Sequence, residues 1–190
     1  MQLLVYILIY PILWIISILP FPIFYLFSDF ICFLTYNIIG YRKKVVRANI
    51  KLALPHLSDK ERLAIEKKFY SHMCDMFLEM IKTITISQKE IEKHFTFSNM
   101  EVYYELEKKN KSIALMCAHY ASYEWVISMN YYIHCKGFGI YKKLSNPYFD
   151  KLVKRIRSKF KAELITTKQT IPTIAENHKN HVLGLYGFAS

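Results

Sequence analysis

In the stretch Ala114-Leu-Met-Cys-Ala-His-Tyr-Ala-Ser-Tyr-Glu-Trp125, an apolar run that reads as a buried strand ends on His119, and Glu124 follows five residues later at the start of a helix. An imidazole is the side chain most easily poised to take a proton near neutral pH, and a nearby carboxylate can orient it and stabilise its cation. Such a pair suits proton abstraction from an alcohol. Strand-to-helix turns of α/β sheets are also where binding and catalytic groups gather. The competing reading is a hydrogen-bonded histidine at a strand end, and the spacing alone does not choose between them.

Other candidates have simpler explanations. His56 and Glu61 repeat the same spacing, but Ser58 and Glu61 have the S-x-x-E pattern of a helix capping box, which gives Glu61 a structural task. His72, Asp75 and Glu79 share one helix face and have ligand chemistry, yet no further ligand cluster accompanies them, so a solvated or partly buried polar face is the better reading. Cys117 lies two residues before His119 and would share its strand face, but it sits inside the apolar run and reads as a core thiol. Cys32, Cys74, Cys117 and Cys135 are scattered without a C-x-x-C pair, the pattern of reduced thiols facing a cytosol and not of a disulfide framework. No metal or bound organic cofactor is implied.

The elements that must position His119 and Glu124 fall into three stretches: 1–40 as a membrane anchor, 41–94 as a basic and amphipathic helical segment, and 95–190 as an α/β core. Residues 1–40 contain one charged side chain, Asp29, so all 26 basic residues lie beyond them, against 14 acidic ones, a net charge of +12. A basic part behind an apolar N-terminus points to an anionic membrane surface. Nucleic acid is the rival reading of the charge, but no zinc-ligand spacing, aromatic RNP-like motif or homeodomain-like helix supports it, so no nucleic-acid partner is expected. Leu3 to Phe27 is almost wholly apolar; as one helix it would be about 37 Å long, enough to cross a bilayer. Pro11, Pro20 and Pro22 leave two arrangements open, one kinked span or two interfacial segments at 3–19 and 23–39. A basic n-region and a small-x-small cleavage site are lacking, which argues against a cleaved signal peptide. Arg42, Lys43, Lys44 and Arg47 follow directly and place the downstream chain in the cytoplasm by the positive-inside rule.

Beyond the anchor, the spacing of Phe69, Met73, Met76, Phe77, Met80 and Ile84 predicts an amphipathic helix from Asp59 to about Ile84. An alternation follows. Strands are expected at Phe95–Phe97, Ser112–Ala118, Phe138–Lys142, Glu163–Thr167 and His181–Phe188. Helices are expected at Glu101–Lys109, Ser122–His134, Pro147–Phe160 and Ile171–Asn177. This order predicts an α/β layer fold with a mainly parallel sheet flanked by helices. The last strand ends with the chain, whereas a parallel sheet needs a helix to cover such a strand; the sheet is expected to be incomplete at the C-terminus.

The segment Ala118-His-Tyr-Ala-Ser-Tyr-Glu-Trp125, followed by Tyr141-Lys-Lys-Leu-Ser-Asn-Pro-Tyr-Phe-Asp150 and Arg155-Ile-Arg157, resembles the late acyltransferases of lipid A biosynthesis, within the wider group of lysophospholipid acyltransferases. Arg47-Ala-Asn-Ile50, Leu54-Pro-His-Leu57 and Glu79-Met-Ile-Lys82 fit the same family, so the resemblance covers essentially the whole chain. It implies a glycerolipid acyltransferase-like fold and the catalytic pair His119 and Glu124, with Asn146, Arg157 and, as second choice, Arg155 binding substrate. A further functional aspartate of the family would fall immediately after Ser190. Ala118, Ala121 and Ser122 stand where the family usually has two glycines and an asparagine, and alanine tolerates positive φ poorly.

The resemblance further implies transfer of an acyl chain from acyl carrier protein or coenzyme A, as co-substrate, to a hydroxyl of a lipid A precursor at the cytoplasmic face of a bacterial inner membrane. Related acceptors are a lysophospholipid or an amino-acid lipid, and a membrane-attached binding protein without catalysis is the rival class. The basic helix carrying Lys151 to Lys161 would attract an acidic carrier protein or anionic headgroups.

Overall fold

The computed structural model describes residues 1–189; the position expected for the family's aspartate, after Ser190, lies outside them. The apolar N-terminus forms two helices, α1 (Gln2–Ile18) and α2 (Phe21–Phe33). The break falls at Pro20 and Pro22, which suit the first turn of α2, where amide hydrogens have no helical partner, whereas Pro11 is accommodated inside α1. A π-helical stretch, Leu34–Ile39, prolongs α2 until Gly40 turns the chain at φ 66°. Phe21–Ile39 is thus a helix of 19 residues, long and apolar enough to cross a membrane by length and composition.

The next helices are α3 (Lys43–Ala53) and α4 (Asp59–Lys82), and α4 starts on the expected capping box. The Ser58 amide donates to Glu61 Oε2 at 2.7 Å, and the Glu61 amide donates to Ser58 Oγ at 3.4 Å. The buried face of α4 differs from the expected one. Tyr70, Cys74 and Leu78 are buried together with Glu66, Glu79 and Lys82, while Phe69 and Phe77 are exposed. The physical reason is a polar seam against α1 and α2. Tyr25 donates to Glu79 Oε1 at 2.8 Å, Ser28 to Asp75 Oδ1 at 2.5 Å, and Tyr36 to Glu66 Oε1 at 3.0 Å. Lys82 Nζ donates to the Ser17 carbonyl at 2.9 Å and to that of Leu19, closing the C-terminal end of α1. Asp75 and Glu79 are therefore spent on hydroxyls of α2.

Two short helices, α5 (Gln88–His94) and α6 (Met100–Glu107), lead into the α/β layer. Phe95–Phe97, expected as a strand, is extended chain without sheet pairing; Phe95 and Phe97 meet edge to face at 5.3 Å and pack into two different core clusters. The sheet consists of β1 (Ile113–Cys117), β2 (Lys136–Tyr141), β3 (Glu163–Thr166) and β4 (Gly184–Ala189), all parallel, in the order β1-β4-β2-β3. One face packs on α8 (Thr170–Lys179) through Phe138, Ile165, Tyr186 and Ile174. On the other face, Leu115 and Leu185 meet Tyr103 of α6 and Met129.

Met129 belongs to the segment after β1, which is a 3-10 helix, Tyr123–Tyr131, and not the α-helix expected. Its Trp125 is buried with Ile86, Ile91 and Phe160, and Trp125 Nε1 donates to Thr83 Oγ1 at 2.9 Å. That contact ties the sheet layer to the end of α4. The last helix to bear on the site is α7 (Pro147–Ser158), with proline in its first turn as expected.

Candidate active site

His119 lies two residues beyond β1, at the carboxyl end of the sheet, where parallel α/β folds bind their ligands. The turn that carries it holds Ala121 at φ 50°, a left-handed conformation that costs an alanine about 1–2 kcal/mol. The turn leads directly into the 3-10 helix, whose first residues are Tyr123 and Glu124. Burial of Trp125 fixes the rotation of this helix and so the direction of Glu124 next to it. The Tyr123 ring stands edge-on to the His119 imidazole, with centroids 4.6 Å apart. Burial, followed by the charge of Glu124, pushes the Tyr123 phenol above its ordinary range.

Arg157 comes from α7 and grips Glu124 with a two-point ion pair: Nε donates to Oε2 at 3.0 Å and Nη2 to Oε1 at 2.5 Å. The Glu124 side chain is only 11% exposed and that of Arg157 24%, so the pair is partly shielded from water. Fork-to-fork geometry of this kind is the strongest form of arginine–carboxylate contact. The carboxylate expected to hold the imidazole is thus itself held by the arginine expected to face substrate.

His119, Tyr123, Glu124 and Arg157 line one cleft of about 520 Å³ between the 3-10 helix and the sheet, within the size range of small-molecule sites. The rest of the walls is mostly apolar, with Leu115, Ile127, Ile140, Leu164 and Leu185, though Asn130, Lys142 and Thr167 also reach the cleft. Gly137, Gly139 and Gly187 present no side chain on this face of the sheet: Asn130 and Leu164 close over the first two, and Gly187 leaves open floor. Gly139 and Gly187 are adjacent in register on β2 and β4. A Cβ on Gly137 would lie 1.5 Å from Asn130 Oδ1, and one on Gly139 would lie 2.8 Å from Leu164 Cδ2. A Cβ on Gly187 would meet only the Phe138 carbonyl, at 3.7 Å. Cys117 also faces the cleft, and burial pushes its thiol up, away from the thiolate a nucleophile requires.

The other two residues expected at the site stand elsewhere. Asn146 is the cap of α7, its Oδ1 accepting from the amides of Tyr148 at 3.0 Å and Phe149 at 3.4 Å. Arg155 lies on the far side of α7 from Arg157 and borders a second, smaller pocket. Sequence reasoning missed Tyr123, whose only signal was an aromatic ring inside the motif. It also missed Asp150, which shapes the loop between β2 and α7 by accepting from the Leu144 amide at 2.9 Å.

The family model for bacterial lipid A biosynthesis acyltransferases matches residues 1–187, nearly the whole chain. No curated protein matches it. The chain belongs to the bacterial lipid A biosynthesis acyltransferase family.

Proposed function

We propose, with membership of this family as the premise, that the protein moves a fatty acyl chain from an acyl thioester, carried by acyl carrier protein or coenzyme A, to a hydroxyl of a lipid A precursor. The observation that supports this most directly is that His119 and the Glu124–Arg157 pair line one cleft whose walls are mostly apolar.

In this reading His119 takes the proton of the acceptor hydroxyl as that oxygen attacks the thioester carbonyl and the new C–O bond forms. The carbonyl electrons move onto oxygen. Arg157, with Nε and Nη2 engaged by Glu124, has its Nη1 group to offer this developing charge. Collapse of the tetrahedral intermediate breaks the C–S bond, and the imidazolium returns its proton to the departing thiolate. No protein nucleophile and no cofactor is needed, because the donor arrives activated. The acyl chain lies along the cleft over Gly139 and Gly187. The site works at the cytoplasmic face of the bacterial inner membrane, with the apolar N-terminal helices in the lipid and Arg42, Lys43 and Lys44 at its surface.

The test uses membranes containing the whole protein, incubated with acyl-acyl carrier protein and a lipid A precursor, with the product followed by mass. Gain of one acyl chain, reduced about a hundredfold or more in His119→Ala, is the expected outcome. Transfer to added lysophospholipid and not to lipid A precursor would move the acceptor to the related class. No transfer to either acceptor would sink the enzymatic reading and leave a membrane-attached binding protein.

A further inference from the structure

The second pocket lies on the opposite side of α7 from Glu124. Helix α1 runs alongside α7 here: Tyr6 stacks on Tyr148 at 5.8 Å and meets Phe149 edge-on at 5.5 Å. One turn further along α1, Tyr10, itself stacked on Tyr6 at 5.3 Å, closes a pocket of about 310 Å³ with Leu152, Arg155, Ile156, Ser158 and Lys159. Arg155 and Lys159 are four residues apart, so both cations fall on one face at the end of α7. Lys159 Nζ is steadied by the carbonyls of Thr83 and Ile84, each at 3.4 Å. Among the described residues no carboxylate pairs with the Arg155 guanidinium. The one acid of α7, Asp150, instead accepts from Leu144 and Tyr141 and lies 3.7 Å from Lys154.

We infer that this pocket is a second binding site, for the phosphate of a membrane lipid, separate from the His119 cleft. Three features select that chemistry. Two cations without an acid between them attract an anion, and a guanidinium binds phosphate in two-point fashion. The wall facing them is apolar or aromatic (Tyr10, Leu152, Ile156), so the ligand combines an anionic head with an apolar body. The helix supplying Tyr10 exposes Leu4, Leu8, Ile12 and Ile15 on its outer side, a stripe suited to lipid tails, while Tyr6, Tyr10 and Trp14 are ring types found at headgroup depth. An acidic carrier-protein helix fits less well, because α1 closes one side of the pocket; the exposed Lys151, Lys154 and Lys161 would serve it better. The inference does not depend on the acyl-transfer reading, since it is tested by binding without turnover.

The test titrates the whole protein in an uncharged detergent with dihexanoyl phosphatidate, dihexanoyl phosphatidylcholine and inorganic phosphate, reading bound ligand by native mass spectrometry. Phosphatidate is expected to bind about tenfold more tightly than the other two, and Arg155→Gln to weaken it about tenfold while His119→Ala leaves it unchanged. Lys159→Gln provides a second variant with the same expected direction, and thermal melting shows that each is folded. Unchanged phosphatidate binding in Arg155→Gln overturns the inference. Equal binding of inorganic phosphate overturns the lipid assignment. Loss of acidic carrier-protein capture in the same variant, with phosphatidate binding intact, would reassign the pocket to a protein partner and overturn it as well.

Discussion

At the residue scale, Arg157 reaches Glu124 in a contact that spacing could not reveal. It lies 33 residues from Glu124, so only the packing of α7 brings them together, and nothing in the local pattern announces the pair. Arg157→Gln leaves Glu124 partly buried without its partner. It is expected to cost about 2 kcal/mol of stability, less than a fully buried pair because Arg157 is partly exposed, and to lower transfer by about a hundredfold or more. Urea unfolding and the transfer assay on one preparation separate the two effects; an active, equally stable variant would remove Arg157 from the site. Ala121 offers the converse test. The sequence showed an alanine where the family has glycine, and its φ of 50° shows that the turn demands the left-handed region. Ala121→Gly releases about 1–2 kcal/mol of backbone strain against about 0.4–1 kcal/mol of added chain entropy, so a net gain of up to about 1.6 kcal/mol is expected in urea unfolding. A loss of stability would mean that the methyl group packs usefully.

At the scale of elements, the capping box, the proline-led start of α7 and the four central strands were legible because each carries a short-range signal: a cap, a fixed φ, or an apolar run. The 3-10 helix was not, since its apolar residues suit an α-helix and its tighter winding follows from burying Trp125 against Thr83 and Phe160. Nor was the α2–α4 seam, because acids on a helix face read as solvated until their hydroxyl partners are placed. Glu107, at the end of α6, is a similar case. It accepts from Tyr103 and from the amides of His134 and Cys135, and lies 2.8 Å from His134 Nδ1, so that it pins the entry to β2. Burial alone would raise its carboxyl, but the bonds from Tyr103 and His134 outweigh this and hold it below the ordinary range. A depressed folded-state pKa contributes stability that is present above the unfolded value, about 4.3, and is lost as pH falls through the folded one. Wild type is therefore expected to exceed Glu107→Gln in stability at about pH 5, with the gap closing in more acidic solution. A gap that does not change with pH would show that the carboxylate's charge contributes nothing.

At the scale of the whole molecule, the polar seam makes the apolar N-terminus part of the fold. Glu66, Asp75, Glu79 and Lys82 all face partners on residues 17–36, and three of them, Glu66, Glu79 and Lys82, are buried. Removing residues 1–39 would take away the hydroxyls and carbonyls that Asp75, Glu79 and Lys82 bond to, while Glu66 would lose Tyr36 and keep its ion pair with Arg47. A charged group left without its hydrogen bonds costs about 1–3 kcal/mol, and three such losses rival the stability of a typical domain, about 5–15 kcal/mol. The loss of Phe21 and Phe24, which pack beside Lys82, adds to this. A chain of residues 40–190 is therefore expected to lack a cooperative thermal transition and to be digested rapidly by protease, and not to yield a soluble catalytic core. The comparison requires the whole chain in detergent, melted under identical conditions and followed by circular dichroism. A shortened chain that melts cooperatively at a similar temperature would show that the seam is dispensable and that the N-terminal helices serve attachment alone. Partial rescue is informative in the same way. If Glu79→Gln and Asp75→Asn restore folding to the shortened chain, the cost lies in stranded charge, whereas failure of that rescue would trace it to the lost apolar packing of α2 on α4.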